Sequence, residues 1–339
     1  MSPNVTFKST GDRDPQAVAP GQALAQAPSL ADVTRTSYTA SHGTVPDRMP
    51  DAPYGLLDGG PAAALRVIGP DREKWMQGMQ TADISAAPSG GGVPGSFLDG
   101  KGKLVAEGTI FRFPEEIVVA VVPERIQALQ AHLDRLLIME DCEMSQAEGL
   151  RRLLFCPGEE PLGRFPEVTG VPGPLGLEVL VPESRAGELL AAVPAADPAA
   201  VEAYRIAIGL PAWGSELDEE STPVEAGLDR EISFEKGCYV GQEVIAMATF
   251  RGRVSWNLVR LQVAGNAPPV GARLDPNRTA QGKRGRVTSA LQMEGLGVLL
   301  GYVHRELLAP GTTVQLEDGR MATVLGLPFG SRPGAGVCA

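Results

Sequence analysis

The stretch "KLVAEGTIFRFPEEIVVAVVPERIQALQAHLDRLLIM", Lys103 to Met139, sets two β-rich runs, a turn and an amphipathic segment in direct succession. "KLVAEGTIFRF" and "EIVVAVV" are rich in β-branched and aromatic residues, and Pro114 with two glutamates between them reads as a hairpin turn. Pro123 then opens a helix that carries Ile126, Leu129, Leu133, Leu136 and Leu137 on one face. Upstream, "AAALRVIG" (Ala62 to Gly69) alternates like a strand. "PDREKWMQGMQ" follows as a helix with apolar Trp75, Met76 and Met79. A strand before Lys103 and another around Glu140 to Met144 complete an approximate β-α-β-β-α-β order, the ferredoxin-like arrangement.

The pattern partly recurs in "RRLLFC", "LGLEVLV" and the helix "PESRAGELLAAV", with "AAVEAYRIAIG" as a further helix, so two related α+β units are expected. After Arg253 the texture changes to short strands separated by turns, including "VSWNLVRLQVAG", "GVLLGYV" and "MATVLGLP". That texture predicts a small C-terminal antiparallel β-barrel or sandwich. Residues 1–52 hold no sustained apolar pattern and are rich in Ala, Pro, Ser, Thr and Gln, which predicts a flexible N-terminal arm. The expected organisation is this arm, an α+β region over 53–250 in two lobes, and the β unit over 251–339.

A chain of 339 residues favours two or three packed units over a single core. A net charge of −11 with scattered Lys and Arg speaks against non-specific nucleic-acid binding. No apolar run is long enough to span a bilayer, and no secretory signal is visible. Cys142, Cys156, Cys238 and Cys338 include no C-x-x-C pair, and with only three histidines they give neither a disulfide framework nor zinc spacing. The cytoplasm is the expected compartment.

Cys238 has the most suggestive setting of the four, in "FEKGCYVGQE" (Phe234 to Glu243). A thiolate is the nucleophile or metal ligand, and both Lys236 and a helix start at Gly241-Gln242-Glu243 would favour that form. Gly237 and Gly241 permit backbone geometry that would present the sulfur instead of burying it. Against this stands the ordinary tendency of free cysteine to fill cores, which is the better reading for Cys142, Cys156 and Cys338. In "FLDGKGKLVAEG" (Phe97 to Gly108), Asp99, Gly100, Lys101 and Gly102 form a turn and Glu107 follows in the strand. By itself that is a hairpin with a solvated charge, and it does not match a phosphate-binding loop.

The segment "KGCYVGQEV" resembles the K-G-C-Y-x-G-Q-E motif of the YgfZ family of folate-binding proteins, relatives of the glycine cleavage T-protein, an aminomethyltransferase. "LRVIGPDREKWMQGMQTADI", "FLDGKGKLVAEG", "YRIAIGLPAWGSEL" and "TPVEAGLDREISFEKGCYVGQE" follow in the order of that family, over about residues 55 to 330. The fold this resemblance implies is α+β, with two ferredoxin-like lobes and a C-terminal antiparallel β-barrel forming a ring around a central folate channel. The cofactor it implies is tetrahydrofolate, held by Glu107, Asp99, Lys101, Tyr239, Gln242 and Glu243, with Cys238 as the reactive group and Lys236 beside it. Glu107 matches the position of a T-protein aspartate that assists one-carbon transfer. Gly241-Gln242-Glu243 stands where that protein has G-R-E. The function implied is support of iron–sulfur enzymes in cluster assembly or repair, with an effect on tRNA modification and with iron–sulfur proteins or their assembly machinery as partners. A folate-dependent aminomethyltransferase or demethylase is the alternative.

Overall fold

The computed structural model describes residues 49–156, 170–250, 254–329 and 331; the expected N-terminal arm, apart from its last four residues, and Cys338 lie outside them. Three sheets are formed, and all strand pairs within them are antiparallel.

The first sheet holds β2 (Ala63–Ile68), β3 (Gly92–Leu98), β4 (Leu104–Arg112), β5 (Glu116–Val121) and β6 (Glu143–Gln146), in the order β3-β4-β5-β2-β6. The expected hairpin is β4–β5, with Phe111 opposite Val118 and the turn closed by Phe113 N–H donating to the Glu116 carbonyl at 2.9 Å. Helices α1 (Arg72–Met79) and α2 (Ile126–Asp134) supply Trp75, Met76, Leu129 and Leu133 to a core shared with Leu65, Val67, Phe97 and Ile110. Burial of such side chains contributes about 1.5–3 kcal/mol each. Helix α2 stops five residues before Met139. The Glu140 carboxylate accepts from the Ile138 and Met139 N–H groups at 3.3 and 3.1 Å, a local bonding pattern that competes with further helix. Ile138 and Met139 therefore stand exposed.

The second sheet has the order β1-β7-β9-β8, from β1 (Gly55–Pro61), β7 (Leu150–Cys156), β8 (Val171–Gly173) and β9 (Gly176–Pro182). Its first strand comes from the segment preceding the first lobe, a crossing of the chain that local pattern did not reveal. Helix α3 (Glu183–Ala192) packs Ala186 and Leu189 on this sheet. Helix α4 (Pro198–Ile208) begins at Asp197, whose side chain accepts from Ala199 N–H, and ends at Gly209, whose φ of +81° closes a left-handed cap.

The third sheet holds β10 (Trp256–Ala264), β11 (Val287–Met293), β12 (Leu296–His304), β13 (Thr313–Gln315) and β14 (Met321–Gly326), in the order β11-β12-β10-β14-β13. These strands do not form a closed barrel. Isolated bridges Arg273–Arg286 and Leu274–Leu316 carry the 273–274 segment between the two edges, around a core that includes Val259, Leu261, Leu299 and Val324. The architecture is thus mixed α and β with three antiparallel sheets. Among the described residues no helix is long and apolar enough to cross a membrane.

Candidate functional site

Strand alternation decides which groups of the first two sheets meet. On β4, Ala106 and Ile110 enter the core beneath α1 and α2, so Glu107 and Thr109 face the other way. On β7, Leu153 and Phe155 pack under α3, and Arg152 faces away from that core. The two outward faces, the Leu210–Pro211 turn and the 3₁₀ turn Asp229–Glu231 enclose a cavity of about 420 Å³. Its wall is mostly apolar, including Leu57, Leu154, Leu175 and Leu228, with Glu107, Arg152, Glu178, Arg230 and Glu231 as its charged groups. That size and composition suit a small organic ligand oriented by a few polar contacts.

The charged groups sort by partner. Arg152 is engaged by Glu178, with Nη2 to Oε2 at 2.9 Å and Nε to Oε1 at 2.8 Å, and Thr109 Oγ1 donates to the same carboxylate at 2.8 Å. Glu231 lies at 1% exposure; Oε2 accepts from Ser96 Oγ at 2.9 Å, while Oε1 is buried with no hydrogen-bond partner. Ser96 sits directly opposite Glu107 across the β3–β4 ladder. This places Glu231 one side chain from Glu107. Desolvation, then the charge of Glu107, push the Glu231 carboxyl up to about 8, with Arg230 and the Ser96 bond pulling back. Glu107 is also raised, by burial first and with the charge of Glu178 adding to it, against Arg152 and Arg230. Solvent in the cavity still reaches Glu107 and Arg230, although protein surrounds both.

The cysteine motif forms a second centre. Cys238 is exposed, as its glycine-flanked setting predicts, on a loop that crosses the end of α1, where Val240 N–H donates to the Gly78 carbonyl at 3.1 Å. Helix α5 (Gln242–Phe250) starts at the expected place, after Gly241 with φ +82°. A side chain at Gly241 would meet the Asp99 carbonyl oxygen and Leu98 Cβ, each at 3.0 Å, and one at Gly102 would meet Val244 Cβ at 2.9 Å. The "DGKG" turn and the cysteine motif, 136 residues apart at Gly102 and Cys238, are therefore packed together through glycines.

Lys236 has a role its sequence position did not suggest. Its Nζ donates to the carbonyls of Gln77, Gln80 and Ala82, each at 2.6 Å, and lies 5.1 Å from the Tyr239 ring centre. The ammonium's three protons thus cap the C-terminal end of α1, where cations are favoured. Burial pushes it down to about 8, with Asp83 acting in the other direction. Asp99 caps its own turn, accepting from the Lys101 and Lys103 N–H groups at 2.8 Å. Lys101 and Glu243 are exposed, Gln242 is half-buried in the first turn of α5, and Tyr239 is buried in a cluster with Leu98 and Ile245.

Of the residues singled out in the sequence, Glu107 lines the cavity. Cys238, Lys236, Tyr239, Gln242, Glu243, Asp99 and Lys101 gather around the α1 end and the start of α5, and none of them is among the cavity-lining residues. Arg152, Glu178, Arg230 and Glu231 were missed. Lone charges inside apolar strands, as in "LGLEVLV", and the charged run "LDREIS" were the available signals, because a charge in such a setting needs a partner or a ligand.

No family model matches the chain. The tRNA-modifying protein YgfZ of Pectobacterium atrosepticum is 26% identical over 296 residues, covering 79% of this chain and 89% of that protein. An aminomethyltransferase of Thermosynechococcus vestitus is 31% identical over 175 residues, 49% of this chain and 47% of its own. An iron–sulfur cluster assembly factor IBA57 homologue of Neurospora crassa, mitochondrial, is 24% identical over 238 residues, 61% of this chain and 54% of its own. The chain thus spans about half the length of the latter two. In fold, the glycine cleavage system aminomethyltransferase T of Bartonella henselae superposes with a TM-score of 0.63 at 17% identity, over 88% of this chain and 90% of that one. Motif order and relatives make the chain similar to YgfZ proteins and aminomethyltransferases, and its fold is that of the aminomethyltransferase T structure.

Proposed function

We propose that the central cavity binds a reduced folate, tetrahydrofolate or a one-carbon derivative of it, and that the protein supports assembly or repair of iron–sulfur enzymes. An effect on tRNA modification would follow through an enzyme so maintained. The observation that carries the reading is the largely apolar cavity of about 420 Å³ with the Glu107 carboxyl on its wall. A flat, aromatic pteridine with a hydrogen-bonding edge suits such a hollow, and the unpartnered buried Oε1 of Glu231 is a polar atom in want of a hydrogen-bond partner. The relatives named for tRNA modification and for iron–sulfur cluster assembly support the wider role.

In this reading Cys238 acts as a transient thiolate at the surface, accepting or shielding a cluster iron or forming a mixed disulfide with a partner. One thiolate does not hold a cluster, which needs about four ligands, so the iron–sulfur partner supplies the rest. The α+β region over 53–250 is read as two ferredoxin-like lobes and 251–339 as an open β unit beside the channel, in the cytoplasm. Asp99, Lys101, Tyr239, Gln242 and Glu243 support the cysteine loop and the neighbouring wall.

Titration calorimetry with 5-formyltetrahydrofolate tests the shared premise. Binding by the wild type, weakened in Glu107→Ala, together with failure of Cys238→Ala to complement a cluster-enzyme defect, upholds the reading; absence of binding removes it. A second reading is favoured by the raised affinity of Glu107 for its proton and by the aminomethyltransferase relative. A folate-dependent aminomethyltransferase or demethylase would form product from an aminomethyl or methylamine donor, with activity lost in Glu107→Ala and kept in Cys238→Ser.

A further inference from the structure

Among the charged groups on the cavity wall, the two arginines differ in one respect. Arg152 has its fork filled by Glu178. Arg230 has no hydrogen-bond or ion-pair partner among the described residues; its guanidinium lies 5.4 Å from the centre of the Phe329 ring and is otherwise open to the cavity. Desolvation lowers its hold on its proton, opposed by the charges of Glu231 and Glu107, so its cationic state carries a cost that no fixed partner offsets. Five N–H donors in a planar fork match a carboxylate in two parallel bonds, and an aromatic face holds the plane of that fork.

The groups facing Arg230 agree with an anion docking there. Glu231 on the same turn and Glu107 on β4 are the carboxyls whose fields it feels. Burial pushes the Glu231 carboxyl up to about 8, which favours its neutral form, and Glu107 is displaced in the same direction. The neighbourhood of Arg230 is consequently less negative than its composition suggests, and Glu178 is turned to Arg152 and Thr109.

We infer that Arg230 is the residue that recognises an anionic group, specifically a carboxylate, on the cavity's ligand, seating it as a bidentate pair beside Phe329. The inference rests on the folate reading only for the identity of the ligand, whose carboxylates lie in its glutamyl tail. It makes Arg230 a determinant of affinity and orientation, distinct from Glu107 on β4.

The test compares wild type, Arg230→Met and Arg230→Lys in titrations with 5-formyltetrahydrofolate and with its glutamate-free counterpart, 5-formyltetrahydropteroate. Expected is a loss of roughly 10- to 100-fold for the complete ligand in Arg230→Met, a smaller loss in Arg230→Lys, and unchanged affinity for the glutamate-free ligand. Equal weakening of both ligands, or of neither, overturns the assignment while leaving folate binding in place. If wild type binds no folate, the folate reading fails, and the assignment is then decided with 4-aminobenzoylglutamate followed by saturation-transfer NMR. Binding to wild type that Arg230→Met abolishes upholds it, and no binding overturns it. Circular dichroism of each variant reports folding, and the two-ligand comparison on wild type, in which the glutamyl group must strengthen binding, remains decisive if a variant fails to fold.

Discussion

Lys236 and Gln80 are joined by a 2.6 Å bond from an ammonium to a buried main-chain carbonyl, 156 residues apart in the chain. With the equal bonds to Gln77 and Ala82 it fastens the cysteine loop to the end of α1. Lys236→Met leaves three carbonyls without their cation, and we expect a loss of about 2–4 kcal/mol in urea unfolding. Hydrogen exchange at the Val240 amide, which bonds Gly78, should accelerate in the same variant. A change under about 0.5 kcal/mol with unaltered exchange would show that the clamp contributes little.

The cysteines differ in access. Cys238 is exposed, Cys142 is half-buried and raised by burial and by the acidic groups at Asp71, Glu140 and Asp141, and Cys156 is buried and pushed up to about 11. Under iodoacetamide at pH 8, mass spectrometry should find Cys238 modified first, Cys142 more slowly, and Cys156 only after unfolding. Equal rates at Cys156 and Cys238 in the folded protein would contradict the structure.

Glu231 makes stability depend on pH in a direction opposite to that of an ordinary surface carboxylate. Its folded value of about 8 lies above the ordinary 4.5, so the folded state holds the extra proton between those values. The stabilisation is full below about pH 4.5 and is lost as pH rises through 8, with a slope of up to about 1.4 kcal/mol per unit. Glu107, also raised, acts in the same sense. Urea unfolding at pH 5, 7 and 9 should therefore show wild type weakening more than Glu231→Gln, and parallel profiles would refute the burial argument.

Arg205 and Glu216 form a buried pair at 2.9 Å, with Ser289 Oγ donating to Glu216 Oε1 at 2.6 Å and Ala212 N–H to Oε2 at 3.0 Å. This network ties α4 to the third sheet through Ser289 on β11. Glu216→Ala removes the buried partner of Arg205, leaving it the exposed Glu202 carboxylate at 2.6 and 2.8 Å, and frees Ser289 Oγ and Ala212 N–H, a loss expected to cost about 2–3 kcal/mol. A double replacement by apolar residues, Arg205→Met with Glu216→Leu, should recover part of that loss in the same unfolding assay; no recovery would assign the cost to packing alone.

The features legible in the chain are local: the β4–β5 hairpin around Pro114, the helix in "AAVEAYRIAIG" that becomes α4, the change to short strands after Arg253, and a cysteine presented between glycines. Each depends on a few neighbouring backbone angles, which residue type controls directly. Tertiary structure alone decided that β1 crosses into the second sheet, that the charges of Arg152, Glu178, Arg230 and Glu231 converge on one cavity, and that Lys236 serves helix α1. Those outcomes come from faces of separate strands and turns brought together by core packing, and a residue's own neighbours in the chain carry no record of which distant charge will share its low-dielectric surroundings.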